Sequence, residues 1–315
     1  MRTNGCSVVF YHYVRDSEQT AFPGIKACRV ADFGAQVEWL AGRYQVVDYD
    51  LFARALEAGR PLDQAALLTF DDGFQDHFTG VLPALKTHGI RGLFFLAGAT
   101  LSDSPRLLNV HKTHFLLARL GPTRFGAEVN SSLTSLAGDT GLAITLPPDV
   151  YRYDAQDEGK IKHLLNYELP LEVTDRILDD LFNRHLGDPK EFAAALYLTP
   201  TMIREMAAAG MTFGFHTETH PVLSRLSRHD QRCELIDGVE QIMALTGQPS
   251  VPFCYPYGHS YTYNADTLEL LAEAGYSMAF NTIRRAADVT SDDRFELPRF
   301  DTRDLPFNAG SRHDA

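Results

Sequence analysis

Cysteine is scarce and scattered in this chain. Four thiols, Cys6, Cys28, Cys233 and Cys254, are spread over 315 residues with no CxxC pair. That excludes a disulfide framework and a zinc-finger spacing, and makes reduced thiols the expectation. Positive charge is also in short supply. With 29 Lys and Arg against 41 Asp and Glu, the net charge is -12, the wrong sign for a protein that tracks phosphate backbones. No nucleic-acid partner is expected. Long apolar runs are missing as well. Near the start, Cys6–Tyr11 gives way at once to His12, Arg15 and Asp16; this is too short for a signal-peptide core, and no later segment approaches a membrane span. A cytoplasmic address is the expectation.

What is present is an ordinary globular composition, 44% apolar and 22% charged, able to build a sizeable core. Short apolar runs alternate with amphipathic stretches, the pattern of β/α repetition. Strands are predicted at Cys6–Tyr11, Ala66–Phe70, Gly92–Leu96, Thr212–Phe215, Pro252–Tyr255, Ser277–Phe280 and Phe295–Arg299. Helices are predicted at Val30–Ala41, Tyr49–Ala58, Phe78–His88, Pro200–Ala209, His229–Leu245 and Ala265–Ala274. Thr199 before Pro200 and Asn264 before Ala265 are N-cap residues, with Gly210 and Gly275 as the stops. The fold class is α/β, an incomplete parallel barrel, whose chemistry belongs at the C-terminal ends of the strands. The barrel takes residues 1–100 and 199–315. Residues 101–198 form a helical insertion packed on it as a cap or a substrate-selecting lid. This insertion carries a Gly-, Ser- and Thr-rich loop over Gly121–Gly141 and helices at Gln156–Tyr167 and Leu171–Leu186, the second with Ile177, Leu178, Leu181 and Phe182 on one face.

Two strand ends carry the chemistry. Leu67-Leu68-Thr69-Phe70 stops at Asp71-Asp72-Gly73, and Phe213-Gly214-Phe215 runs into His216-Thr217-Glu218-Thr219-His220. Successive residues of a strand face opposite ways. Asp71 and Asp72 therefore share a site only if the chain turns there, which Gly73 permits. Two carboxylates that close ionise together only around a cation. His216 and His220, spaced i, i+4, bring both rings to one side on a helical turn. A carboxylate with two imidazoles leaves coordination positions open, as catalytic metal sites do; Zn²⁺ is the default, and Fe, Co or Ni also suits the set. A third element, Phe253-Cys254-Tyr255-Pro256-Tyr257-Gly258, reads as an aromatic turn able to aim a backbone N–H into a pocket.

Thr69–Gly73 (TFDDG), His216–Pro221 (HTETHP) and Tyr255–Gly258 (YPYG), in this order, resemble the motifs of the polysaccharide deacetylase family, the NodB homology domain of carbohydrate esterase family 4. The resemblance covers Cys6–Phe95 and Met211–Phe300. It implies a distorted (β/α)7 barrel and metal-dependent removal of N-acyl groups from amino sugars. It also implies Asp71 as general base, Asp72, His216 and His220 as metal ligands, and the Tyr257 N–H as oxyanion donor. Many members place an arginine where Cys254 stands; here Arg299 is expected to orient the base instead. The usual C-terminal Leu-x-His is not evident, and His313 lies in a tail, so His12, ending the first predicted strand, is the expected general acid.

The expected partner is an acylated amino sugar, in particular a small glycoconjugate of surface-polysaccharide synthesis. Deformylation or cyclic-amide hydrolysis on the same fold, and sugar binding without turnover, are the competing readings. His111 and His114 read as a helix-surface pair. Tyr151-Arg152-Tyr153-Asp154 is a sugar-stacking or tethering segment, Cys254 a buried small residue, and His77 a neighbour of the Asp-Asp turn without an assigned role.

Overall fold

A single sheet of parallel strands organises the fold. In a computed structural model, which describes residues 5–137 and 156–306, the strands are β1 (Cys6–Tyr11), β2 (Gln45–Val46), β3 (Ala65–Phe70), β4 (Leu93–Leu96), β5 (Thr212–Phe215), β6 (Phe253–Cys254), β7 (Ala279–Phe280) and β8 (Phe300–Asp301). They follow the order β7-β6-β5-β4-β3-β1-β8, with the two-residue β2 beside the start of β3. Every pairing between these strands is parallel. Parallel neighbours need crossovers, and helices supply them. The result is an incomplete (β/α)7 barrel.

Strand alternation divides the side chains between two cores. Val9 and Tyr11 of β1, Ala66, Leu68 and Phe70 of β3, and Phe94 and Leu96 of β4 join one buried cluster, which includes Phe33, Val37 and Leu40 of the helix Val30–Ala41. Cys6 and Val8, Ala65 and Leu67, Leu93 and Phe95, Cys254 and Phe280 join the other. Asp71 continues the odd-numbered series of β3 and so inherits the face of Leu67 and Thr69.

The helix caps form as their residues dictate. The Thr199 hydroxyl accepts from the Met202 amide, and Asn264 accepts from Thr267 in a capping box. Three expectations need correction. The helix expected over His229–Leu245 is two, Arg228–Leu235 and Gly238–Thr246. The second starts where the chain passes so close to β5 that a Cβ on Gly238 would lie 2.2 Å from the Phe215 ring. The strand expected at Phe295–Arg299 lies later, at Phe300–Asp301, because only there does the chain meet β1, with Val9 beside Phe300. The loop expected from Gly121 is helical as far as Ala137, apart from Gly121 itself (φ 74°) ahead of Pro122.

The chain divides into two compact units. One comprises Met1–Asp16, Lys26–Pro105 and Ala194–Ala315 and holds the sheet; the other comprises Ser17–Ile25 and Arg106–Ala193. The second is helical, with Ile177, Leu178, Leu181 and Phe182 buried and Phe22 in edge contact with Phe115 and Phe192. His111 is fully buried there rather than on a surface, because the helix Asn109–Ala137 packs that stretch inward. Tyr151–Asp154 and His313 lie outside the described residues. No helix among the described residues is long and apolar enough to cross a membrane.

Candidate active site

At the C-terminal ends of β3 and β5 the backbone turns sharply, and it does so at the residues that carry functional groups. Asp72, Thr217, His220 and Tyr257 all have positive φ (74°, 65°, 63° and 62°); among the described non-glycine residues only Gln64 joins them. Such conformations cost about 1–3 kcal/mol each for an L-residue and persist where the surroundings enforce them. Asp72 is itself the pivot. Its left-handed conformation, followed by Gly73 (φ 67°), swings its carboxylate round to the side already faced by Asp71. Gly73 is doubly required, since a Cβ there would lie 2.6 Å from Leu96 Cδ2.

The His216–His220 segment is a bend, so the two rings meet without the helical turn that would align an i, i+4 pair. The Thr217 hydroxyl donates to His216 O at 2.5 Å and accepts from the His220 amide at 2.9 Å. Glu234 braces the segment, accepting from the Thr219 amide (2.7 Å) and the Thr219 hydroxyl (2.6 Å). Burial pushes the Glu234 carboxyl up, with the Thr219 hydrogen bonds opposing. Sequence reasoning missed Glu234, which sits in the helix Arg228–Leu235 with nothing local to distinguish it from a surface carboxylate.

These turns bring three donors together. Asp72 Oδ1 lies 3.6 Å from His216 Nε2 and 3.6 Å from His220 Nε2, and all three side chains are buried. At 3.6 Å the contacts are long for hydrogen bonds. Ligand bonds of about 2.0–2.1 Å put the donors of a tetrahedral site roughly 3.3 Å apart, so the spacing suits a small divalent cation. The tautomer suits it too. His216 Nδ1 donates to Cys254 O at 2.7 Å, which leaves the Nε2 lone pair toward Asp72. Burial holds the imidazole pKa below its ordinary value, against the pull of Asp71 and Asp72, so the ring is neutral and able to ligate.

Asp71 is in a different situation. Arg299 grips it bidentately, Nη1 donating to Oδ1 at 2.9 Å and Nη2 to Oδ2 at 2.8 Å. The other guanidinium donors go to Thr69 Oγ1, Asn281 O and Cys254 Sγ. All five N–H groups of this buried side chain are thereby committed. Its plane rests over Phe10, 4.7 Å from the ring centroid. Burial pushes the Asp71 carboxyl up, but the charge and hydrogen bonds of Arg299 outweigh it, and the net displacement is below the usual carboxylate range. Asp71 is therefore a carboxylate whose orientation is fixed. Cys254 is wholly buried, and burial drives its thiol pKa well up, which makes it a packed, protonated neighbour.

His12 follows β1 at the same rim. Its Nε2 stands 3.9 Å from Asp71 Oδ2, with the side chain 44% exposed. Tyr257 lies in the turn after β6, where its ring meets His220 edge-on at 5.0 Å and its carbonyl accepts from the Thr282 hydroxyl. All seven residues singled out by sequence thus belong to the sheet-bearing unit, and six gather at one end of the sheet. Arg299, fully buried, reaches them through Asp71.

A sequence model of the polysaccharide deacetylase family matches residues 58–114 and 174–279, more than half of the chain. The chain belongs to the polysaccharide deacetylase family. This polysaccharide deacetylase homologue is 19% identical over 282 residues to YxkH of Bacillus subtilis (strain 168), which carries the same family name. The alignment takes in 89% of this chain but only 65% of YxkH. Among solved structures, the deacetylase PplD of Streptococcus pyogenes, determined with acetate, superposes with a TM-score of 0.57 at 17% identity, over 97% of this chain and 93% of PplD. IcaB of Ammonifex degensii gives 0.56 at 19% identity, over 96% and 94%. At these identities the superpositions speak for the fold.

Proposed function

We propose that this polysaccharide deacetylase homologue removes the N-acetyl group of an amino sugar, with Asp72, His216 and His220 holding a divalent cation, Zn²⁺ by default. The single observation that carries the reading is the division of labour between adjacent carboxylates. Asp71 is held as an oriented base by Arg299, while Asp72 faces two imidazoles. A cation bound there supplies Lewis acidity to the acyl carbonyl and lowers the pKa of water toward neutrality. Asp71 accepts the proton of the attacking water. The Tyr257 N–H is the donor for the oxygen that becomes negative in the tetrahedral transition state. His12, on the open side of Asp71, delivers a proton to the departing sugar amine as the C–N bond breaks, so that free amine and acetate leave.

The test is hydrolysis of a substrate panel: acetate release from N-acetylglucosamine oligomers and nucleotide-linked N-acetyl sugars, with formate release from formamido sugars and ring opening of cyclic ureides as controls. Bound metal is counted in parallel. Release from an amino sugar that stops with chelator and returns with Zn²⁺, Co²⁺ or Ni²⁺ supports the reading. A chain that binds metal stoichiometrically yet releases nothing from any amino sugar, or that prefers the ureides, overturns it.

A further inference from the structure

His77 lies in the five-residue π-helical turn His77–Val81, just past the Asp-Asp loop, and is fully buried. Its ring packs among Phe70, Phe74 and Phe94, with centroids 5.6, 5.7 and 5.6 Å away. One polar contact leaves this aromatic nest, from Nε2 to the backbone oxygen of His12 at 2.9 Å. A carbonyl only accepts, so Nε2 carries the proton. Burial keeps the ring neutral, its pKa below the ordinary histidine value, in spite of the His12 carbonyl and nearby carboxylates. Nδ1 meets no hydrogen-bond partner among the described residues. A phenylalanine would fill the same nest with no buried ring nitrogen to desolvate. The grip on His12 is what an imidazole adds.

That grip is placed where it matters. The strand pairing of β1 ends at Tyr11, whose carbonyl accepts from the Asp71 amide at 2.8 Å. His12 is the first residue beyond the ladder, and His77 takes its carbonyl. We propose that His77 is a positioning residue, which sets the His12 backbone so that the imidazole stands opposite Asp71. This rests on the reading of His12 as general acid. His77 touches neither substrate nor cation; it works through the residue whose carbonyl it holds.

The test is a double-mutant cycle in the metal-loaded full chain. His77→Phe keeps the ring and removes the donor; His77→Asn keeps a donor. In His77→Phe, kcat is expected to fall about 10-fold, part of the roughly 10²–10⁴-fold that a general acid supplies. KM and bound metal should be unchanged, and His77→Asn should recover much of the loss. In a His12→Ala background the further change to His77→Phe is expected to do nothing. Undiminished kcat in His77→Phe, or an equal loss in the His12→Ala background, overturns the proposal. If His77→Phe does not fold, His77→Met takes its place in the cycle. Histidine ring NMR gives a readout that needs no turnover: the His12 signals should move in the His77 variant, and unmoved His12 signals overturn the proposal even if no substrate is ever cleaved.

Discussion

The loops that follow β3 and β5 solve one geometric problem with opposite electrostatics. Each must turn a strand end so that side chains destined for opposite faces meet at one point, and each does so with left-handed residues, Asp72 in the first, Thr217 and His220 in the second. The first loop bears two carboxyl groups and is braced by a charge, the buried Arg299 guanidinium. The second bears two imidazole rings and is braced by hydrogen bonds, through the Thr217 hydroxyl and Glu234. On the proposed function, a counter-charge under the first loop divides its carboxylates into a base paired with Arg299 and a metal ligand. A cation under the second would, on the same reading, repel the metal its rings hold, so uncharged or acidic braces suit it. Rigidity is common to both loops; the sign of the support follows from the task.

The comparison can be broken or sharpened by substitution, the largest effects coming from the ligands. Asp72→Ala and His216→Ala should each reduce bound metal to background, as read by elemental analysis, and abolish acetate release together with it. Asp71→Asn should retain the metal and lose roughly 10²–10⁴-fold in kcat; loss of metal in this variant would mean that the two carboxylates are not divided as proposed. Arg299→Gln removes the counter-charge and leaves burial opposed only by the weaker pull of His216 and His12, so the Asp71 pKa rises. Because the base works as the carboxylate, activity is lost as pH falls through that pKa, and the acidic limb of kcat/KM must move to higher pH. The same change leaves Asp71 buried and unpaired, at a cost of about 3–5 kcal/mol in chemical denaturation. The smallest effect belongs to the second loop's brace. Glu234→Gln keeps an acceptor for Thr219 but weakens it, and should lower metal affinity about 10-fold by competition with a chelator, without moving the acidic limb. An acidic limb that shifts in Glu234→Gln and stays in place in Arg299→Gln would invert the assignment of the two braces.

Much of this was legible in the chain. Strand β1 and β5 boundaries, the helices at Val30–Ala41 and Leu171–Leu186, and the caps at Thr199 and Asn264 are local matters of apolar period and of hydroxyl or amide side chains beside a helix start. The misreadings share a cause. The break at Gly238, the strand shift to Phe300 and the buried face of His111 are imposed by packing partners outside the local sequence, and His216 and His220 meet on a bend that Thr217 and Glu234 hold, with no helical turn.

Residue types and their order determined that a carboxylate pair would end one strand and an imidazole pair another, since strand ends and turn residues are set by neighbours in the chain. Which carboxylate is paired with Arg299, that both imidazoles face Asp72, and that His77 reaches the carbonyl of His12 were decided only by the tertiary structure. The reason is physical: a charge state and a left-handed turn depend on what is packed within a few ångströms, and those groups come from 60 to more than 200 residues away, as the contacts of His77 with His12 and of Arg299 with Asp71 are separated by 65 and 228 positions.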